Sequence, residues 1–167
     1  MISRVLFHCC LFHDYKWTVD KRGLHVKSIR FNNLSEKIHN KKEVCLTNYE
    51  YDEHGNTIET RNYGVDGQTK TDKSGIVLYR YKRDEYGNTI ETRHYGVDEQ
   101  LKENKDGAAV YRIKYDEYGN LIELRFYEVD EQLKEDEDGI AIYRNKYDEY
   151  GNKTETKQYD KNEQKMW

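Results

Sequence analysis

Hydrophobic and charged positions alternate along most of the chain. Ala109-Val110-Tyr111-Arg112-Ile113-Lys114-Tyr115 sets Tyr and Ile against Arg and Lys, and Leu121-Ile122-Glu123-Leu124-Arg125-Phe126-Tyr127 follows the same rule. A two-residue period carried by aromatic and β-branched residues predicts half-buried antiparallel strands. No unit supports helical spacing. Turn signals separate the strands. Asp116-Glu117-Tyr118-Gly119-Asn120 puts Asp first and Gly fourth. Asp accepts local backbone hydrogen bonds there, and Gly supplies the left-handed conformation of a bulged hairpin. Asp72-Lys73-Ser74-Gly75 has the same grammar and recurs as Asn104-Lys105-Asp106-Gly107 and Asp136-Glu137-Asp138-Gly139. A weaker turn is predicted at Gly64-Val65-Asp66-Gly67 and its copies.

The whole pattern repeats. Gly55, Gly87, Gly119 and Gly151 mark four copies of Asp-Glu-(His/Tyr)-Gly-Asn at a spacing of 32 residues, with no insertion or deletion. A fixed period of this length predicts a tandem array, whose units bury too little alone and must stack on their neighbours. Stepping back one period from Gly55 reaches Gly23, and the same step aligns Asp20 with Asp52 and Val26 with Ile58. Tyr15, Trp17 and Phe31 fall into the register too, against Tyr79, Tyr81 and Tyr63. The chain is therefore divided into a non-repeat leader (1–14), a degenerate unit (15–46) and an array with a truncated last unit (47–167). In the degenerate unit the second turn reads Asn40-Lys41-Lys42-Glu43 and has lost its glycine, so a looser turn is expected. The predicted fold is all-β: an elongated tandem-repeat array of antiparallel β-hairpins, a meander or solenoid-like sheet.

Two hairpin registers compete. A four-residue loop, Glu117 to Asn120, sets Tyr115 opposite Ile122, Ile113 opposite Leu124, Tyr111 opposite Phe126 and Lys114 opposite Glu123. One face is then apolar and the other charge-paired, as cross-strand pairing favours. A three-residue loop ending at Gly119 suits the turn residues better, but sets Tyr and Ile against Glu123 and Arg125. Because a one-residue slip turns every side chain to the wrong face, the first register is preferred.

Composition narrows the function. Of 167 residues, 36% are charged and 35% hydrophobic, the net charge is -4 and the mean hydropathy is -1.16. Such polarity alone points to disorder, and 16 tyrosines together with the repeat oppose it. No apolar run approaches the roughly 20 residues of a membrane helix, and the charge balance excludes nucleic-acid binding by bulk electrostatics. The absence of proline suits strands that use their backbone donors throughout. Cys9, Cys10 and Cys45 are odd in number and two are adjacent, which is no disulfide framework and leans towards an intracellular state. Residues 1–16 carry Arg4 and an apolar stretch, but His8 and His13 interrupt it and no small-x-small cleavage site follows.

The stretch Tyr115-Asp116-Glu117-Tyr118-Gly119-Asn120-Leu121, and its copy from Tyr147, resembles the tyrosine-aspartate (YD, or Rhs-type) repeat, here in a longer 32-residue variant. The resemblance covers residues 47–159 well and 15–46 faintly. It departs in spacing, since YD units are shorter, and in Arg83, which stands where the Tyr is expected. The resemblance implies a sheet of successive hairpins and a structural or binding role, and brings no catalytic residue. Shells around a toxic domain and carbohydrate binding are known in that family. It also implies an alternative: a fragment of a larger secreted Rhs-type toxin or surface protein with no independent activity. Localisation is cytoplasmic by default and extracellular if the chain is part of such a protein. MORN repeats are shorter and richer in glycine. Choline-binding repeats depend on Trp, and here Trp17 and Trp167 lie near the ends.

Candidate chemistry is sparse. His8, Cys9, Cys10 and His13 are zinc-ligand types, but adjacent cysteines rarely share a metal and the usual spacings are absent. The turn ending at Gly139 has Lys134 where a calcium loop needs its first acid, and Asn145 where it needs the bidentate Glu. Asp116 and Glu117 form a carboxylate pair, yet it recurs in every unit on a turn, and no nucleophile motif is present. No enzyme activity, catalytic residue, cofactor or metal is expected. The tyrosine rows remain. Most tyrosines are expected to supply the core that Leu, Ile and Val cannot fill. Tyr63, Tyr95, Tyr127 and Tyr159, each 32 residues from the next, are the candidate binding-surface aromatics for a protein or glycan. An open sheet edge adds edge-to-edge self-association.

Overall fold

The computed structural model describes residues 9–10, 13–31, 44 and 46–166. Among them there is no helix. Eleven strands are present: β1 (Cys9–Cys10), β2 (His13–Val19), β3 (His25–Phe31), β4 (Leu46–Tyr51), β5 (Thr57–Tyr63), β6 (Leu78–Arg83), β7 (Thr89–Tyr95), β8 (Val110–Tyr115), β9 (Leu121–Tyr127), β10 (Ile142–Tyr147) and β11 (Lys153–Tyr159). The chain divides into two compact units, Met1–Arg80 with Gly96–Gln100, and Tyr81–Tyr95 with Leu101–Trp167. In each unit the hydrogen-bonded order of strands is their order in the chain, an open antiparallel meander. The loosened turn at 40–43 and most of the leader lie outside the described residues, as do the side chains of Tyr15, Trp17 and Phe31.

Both competing features of the hairpin are real, and a bulge reconciles them. Gly119 N–H donates to Asp116 C=O (3.1 Å), and Asp116 N–H donates to Asn120 C=O (3.0 Å), so the loop has three residues and ends at Gly119. Gly119 sits at φ +84°, the left-handed region that the turn demands. Tyr115 then pairs with Leu121, not with Ile122 as expected, whereas Lys114 pairs with Glu123, Ile113 with Leu124 and Tyr111 with Phe126. Ile122 is the extra residue of a β-bulge, and it shifts the register by one. The same break occurs beside Tyr51, Tyr147 and Val19. The Asp20–Gly23 turn carries the same two hydrogen bonds, at 2.9 and 3.0 Å.

The fully buried core is aliphatic, which corrects the expectation that tyrosine would supply it. Among the described residues it consists of Ile76, Val77, Leu78, Ala108, Ala109, Val110, Ile140, Ala141 and Ile142, each at most 4% exposed. These are three short runs that directly follow Gly75, Gly107 and Gly139. A short unbroken apolar run after a turn signal fits a strand segment buried on both faces. Ala109 has that position: its N–H donates to Tyr127 C=O (2.8 Å) and its C=O accepts from His94 N–H (2.9 Å). The strand tyrosines around this core are half-buried.

Candidate binding surface

Register assigns the side chains to two faces. Tyr111, Ile113, Tyr115, Leu124 and Phe126 share one face; Val110, Arg112, Lys114, Glu123, Arg125 and Tyr127 share the other. On the first face aromatic rings meet edge to face: His94 with Tyr111 (5.0 Å between centroids), Tyr111 with Phe126 (5.3 Å) and Phe126 with Tyr143 (5.9 Å). Such pairs add about 0.5–1.5 kcal/mol each beyond the area they bury. The Tyr111 hydroxyl is 2.7 Å from Asn104 Nδ2, and Tyr143 donates to Asp136 at 3.1 Å. Burial pushes the pKa of both phenols up.

Towards the Asp-Glu-Tyr-Gly-Asn turns an open groove of about 660 Å³ is lined by Ile90, Ile113, Tyr115 and Ile122, with Tyr86 beside them. Tyr86, Tyr118 and Tyr150 are 82%, 81% and 81% exposed. They occupy the third position of successive turns, where no neighbouring strand covers a side chain. The turns beneath them are closed by their own side chains. Asp116 Oδ1 accepts from Tyr118 N–H (3.0 Å) and Asn120 N–H (2.8 Å), and its Oδ2 accepts from Asn120 Nδ2 (3.0 Å). Asp84 and Asp148 repeat these bonds. The side-chain bond from Asn120 is the main cause that holds the Asp116 carboxyl below the ordinary range. Each repeated Asp thus directs its carboxylate to its own turn.

Tyr63, Tyr95, Tyr127 and Tyr159 each end a strand and bridge to Thr69, Leu101, Leu133 and Lys165. All four are half-buried. Tyr127 lies under the Arg112 guanidinium and Tyr159 under that of Arg144, both 4.5 Å from the ring centroid. They thus stand on the charged face, packed against Val110 and Ile142 across the ladder.

That face also carries an arrangement that sequence reasoning missed: closed rings of two Arg and two Glu. Arg93 Nε donates to Glu91 (2.8 Å) and its Nη2 to Glu131 (2.9 Å), while Arg112 donates to Glu91 (3.0 Å) and again to Glu131. Arg125, Arg144, Glu123 and Glu163 form the next ring. Arg61, Arg80, Glu59 and Glu99 form another, with one side opened to 4.0 Å. Glu123 is 7% exposed and also meets Lys114 at 2.9 Å. Burial works against its charge, but hydrogen bonds from Arg125, Lys114 and Arg144 outweigh it and pull its pKa from 4.5 to about 2. Glu99, Glu131 and Glu163 sit at φ 58°, 63° and 57°, where Gly67 stands in the earlier copy at φ 78°. A non-glycine residue in this region is strained. Each of the three is gripped by two arginines, whereas the residues one period before Arg61 and Arg80 are Ile29 and Asn48. The signal was present in the chain as Glu and Arg recurring at the same 32-residue offsets.

Among the described residues no group of three or more His, Cys, Asp or Glu is placed to hold a metal ion. The side chains of His8, Cys9, Cys10 and His13 lie outside the described residues. No helix among the described residues is long and apolar enough to cross a membrane.

No family model matches the chain, and no curated protein matches it. Among solved structures it is similar to the Photorhabdus luminescens Tc holotoxin pore with a mutant TccC3. The identity is 16% and the TM-score 0.44, over 88% of this chain and 8% of that one. It is similar also to TcdB2-TccC3-TEV, at 16% identity and a TM-score of 0.42, over 87% of this chain and 8% of that one. The chain thus spans 8% of the length of either.

Proposed function

We propose that the chain is a non-catalytic, YD-like repeat scaffold whose hairpin ends present a binding surface for an extended glycan. The observation that carries this reading is the row Tyr86, Tyr118 and Tyr150, each more than four-fifths exposed on a turn held by its own Asp and Asn. Tyrosine offers a flat apolar face with a hydrogen-bonding tip, suited to the apolar face of a sugar ring. Successive turns lie two strands apart, so the rings recur about every 10 Å. That interval is close to a disaccharide in an extended β-1,4-linked chain, which allows one tyrosine for every second sugar. The open groove beside Tyr86 supplies an apolar floor, and charged side chains at its margin supply hydrogen bonds.

The test is a glycan array probed with the purified chain, followed by the triple variant Tyr86→Ala, Tyr118→Ala, Tyr150→Ala. Binding to an extended β-linked oligosaccharide is expected, and the variant should lose it while keeping its circular dichroism and Tm. Undiminished affinity in the folded variant would refute the assignment of the surface. An array with no bound glycan would turn the row towards a protein partner.

A further inference from the structure

The surfaces beside successive exposed tyrosines are not alike. The groove next to Tyr86 has Ile90, Ile113 and Ile122 on its floor, together with Tyr115. One period later the places of Ile113 and Ile122 are taken by Asn145 and Thr154. Asn145 Nδ2 donates to Leu121 C=O (3.0 Å), and its Oδ1 accepts from the Thr156 hydroxyl (2.8 Å), so that amide is already satisfied. Of these two places, the one between the turns at Asp84 and Asp116 has the floor of three isoleucines. Its volume of about 660 Å³ lies within the roughly 300–1,000 Å³ of small-molecule sites.

Tyr115 departs from its copies too. The Tyr51 and Tyr147 hydroxyls donate to the carbonyls of His25 and Leu121, in each case 26 residues earlier. Thr89 has that place for Tyr115, but Arg83 meets Thr89 instead, and donates to its Oγ1 and to Gly87 C=O (3.4 Å). Among the described residues the Tyr115 hydroxyl has no hydrogen-bond partner. Burial pushes its pKa up, so it keeps its proton and stays a donor at neutral pH. A half-buried donor without an acceptor is costly, and a ligand that supplies one gains by it. The charges at the margin are largely committed. Asp84 and Asp116 close their own turns, Arg112 holds Glu91, and Lys114 holds Glu123. Lys82 and Glu117, one of each sign, are left exposed, which favours a ligand without net charge.

Resting on the glycan reading above, we propose that this groove is the principal subsite and takes an acetamido sugar of a β-1,4-linked chain. The acetamido group matches both features of the groove: its methyl lies on the isoleucine floor, and its carbonyl accepts from the Tyr115 hydroxyl. Tyr86, at the same groove, covers the face of the sugar ring.

The probe is the β-1,4-linked tetramer of N-acetylglucosamine, titrated calorimetrically into the full chain. Beside it runs the β-1,4-linked tetramer of glucose, which has a hydroxyl in place of each acetamido group. The acetylated tetramer is expected to bind about tenfold more tightly. Tyr115→Phe should keep the natural Tm and weaken binding about three- to tenfold, the worth of one hydrogen bond. Ile113→Asn with Ile122→Thr, which imports the residues of the next repeat, should weaken it about tenfold. Equal affinity for the two tetramers would overturn the acetamido assignment and leave the glycan reading standing. Undiminished affinity in either folded variant would put the sugar elsewhere on the chain and overturn the subsite. Binding of neither tetramer would overturn this proposal, and the glycan array then decides whether the wider reading falls with it.

Discussion

Glu123 is a carboxylate almost out of water and held by three cations, and its replacement by glutamine tests the ring directly. Arg125 Nε, Arg144 Nε and Lys114 Nζ stand 2.8, 2.7 and 2.9 Å from its oxygens. Its pKa falls from 4.5 in the open chain to about 2 in the fold, despite the burial that opposes charge. A displacement of that size corresponds to about 3 kcal/mol at neutral pH. Removing one partner from a buried ion pair costs about 3–5 kcal/mol, which agrees. The sign follows from the direction: the unfolded chain binds the proton more readily, so the contribution is complete above about pH 5. It declines as the pH falls from 4.5 towards 2. Urea unfolding followed by circular dichroism should place Glu123→Gln about 3 kcal/mol below the natural chain at pH 7. The gap should close near pH 2. A variant as stable as the natural chain at pH 7 would refute the reasoning. A gap that persists at pH 2 would show that packing, not charge, is responsible.

Other outcomes follow from the turns. Gly119→Ala meets no atom within 4 Å, so its cost is backbone strain alone; a loss of about 1 kcal/mol is expected by urea titration. Glu131→Ala keeps the strained φ and loses both arginines, whereas Glu131→Gly loses the arginines but relieves the strain. The alanine variant should therefore have the lower Tm in calorimetry, and the reverse order would contradict the strain assigned to the backbone at this position. Tyr118→Ala alone, at an exposed turn position, should leave the Tm within error, and a clear drop would mean that the ring packs on something.

Much of the architecture was legible in the chain because it is written in local, repeated terms. Two-residue alternation marks the strands, and Asp or Asn with Gly three residues later marks the turns at Asp116, at Asn104 and at their copies. The charge-paired face seen in Lys114 and Glu123 follows from choosing the register that keeps Tyr111 with Phe126. The bulge at Ile122 was not legible, because strand alternation and turn residues by themselves tie loop length to register. An extra residue separates them. The exposed tyrosines were legible in principle, since the third position of a tight turn has no strand beside it. Tyr63, Tyr95, Tyr127 and Tyr159, the candidate surface aromatics, are instead half-buried at strand ends.

The sequence by itself determined the period, the strand and turn positions, the all-β class and the alternation of apolar and charged faces. Each of these depends on residues close together in the chain, and repetition multiplies the signal. Tertiary structure alone decided which apolar groups are fully buried and which charges meet. The runs after Gly107 and Gly139 become core because strands far apart in sequence hydrogen-bond on both sides of them. Arg125 and Glu163 meet across 38 residues because the connection folds back over the sheet. Burial and charge pairing are properties of neighbours in space, and a one-dimensional pattern specifies those neighbours only after the sheet has formed.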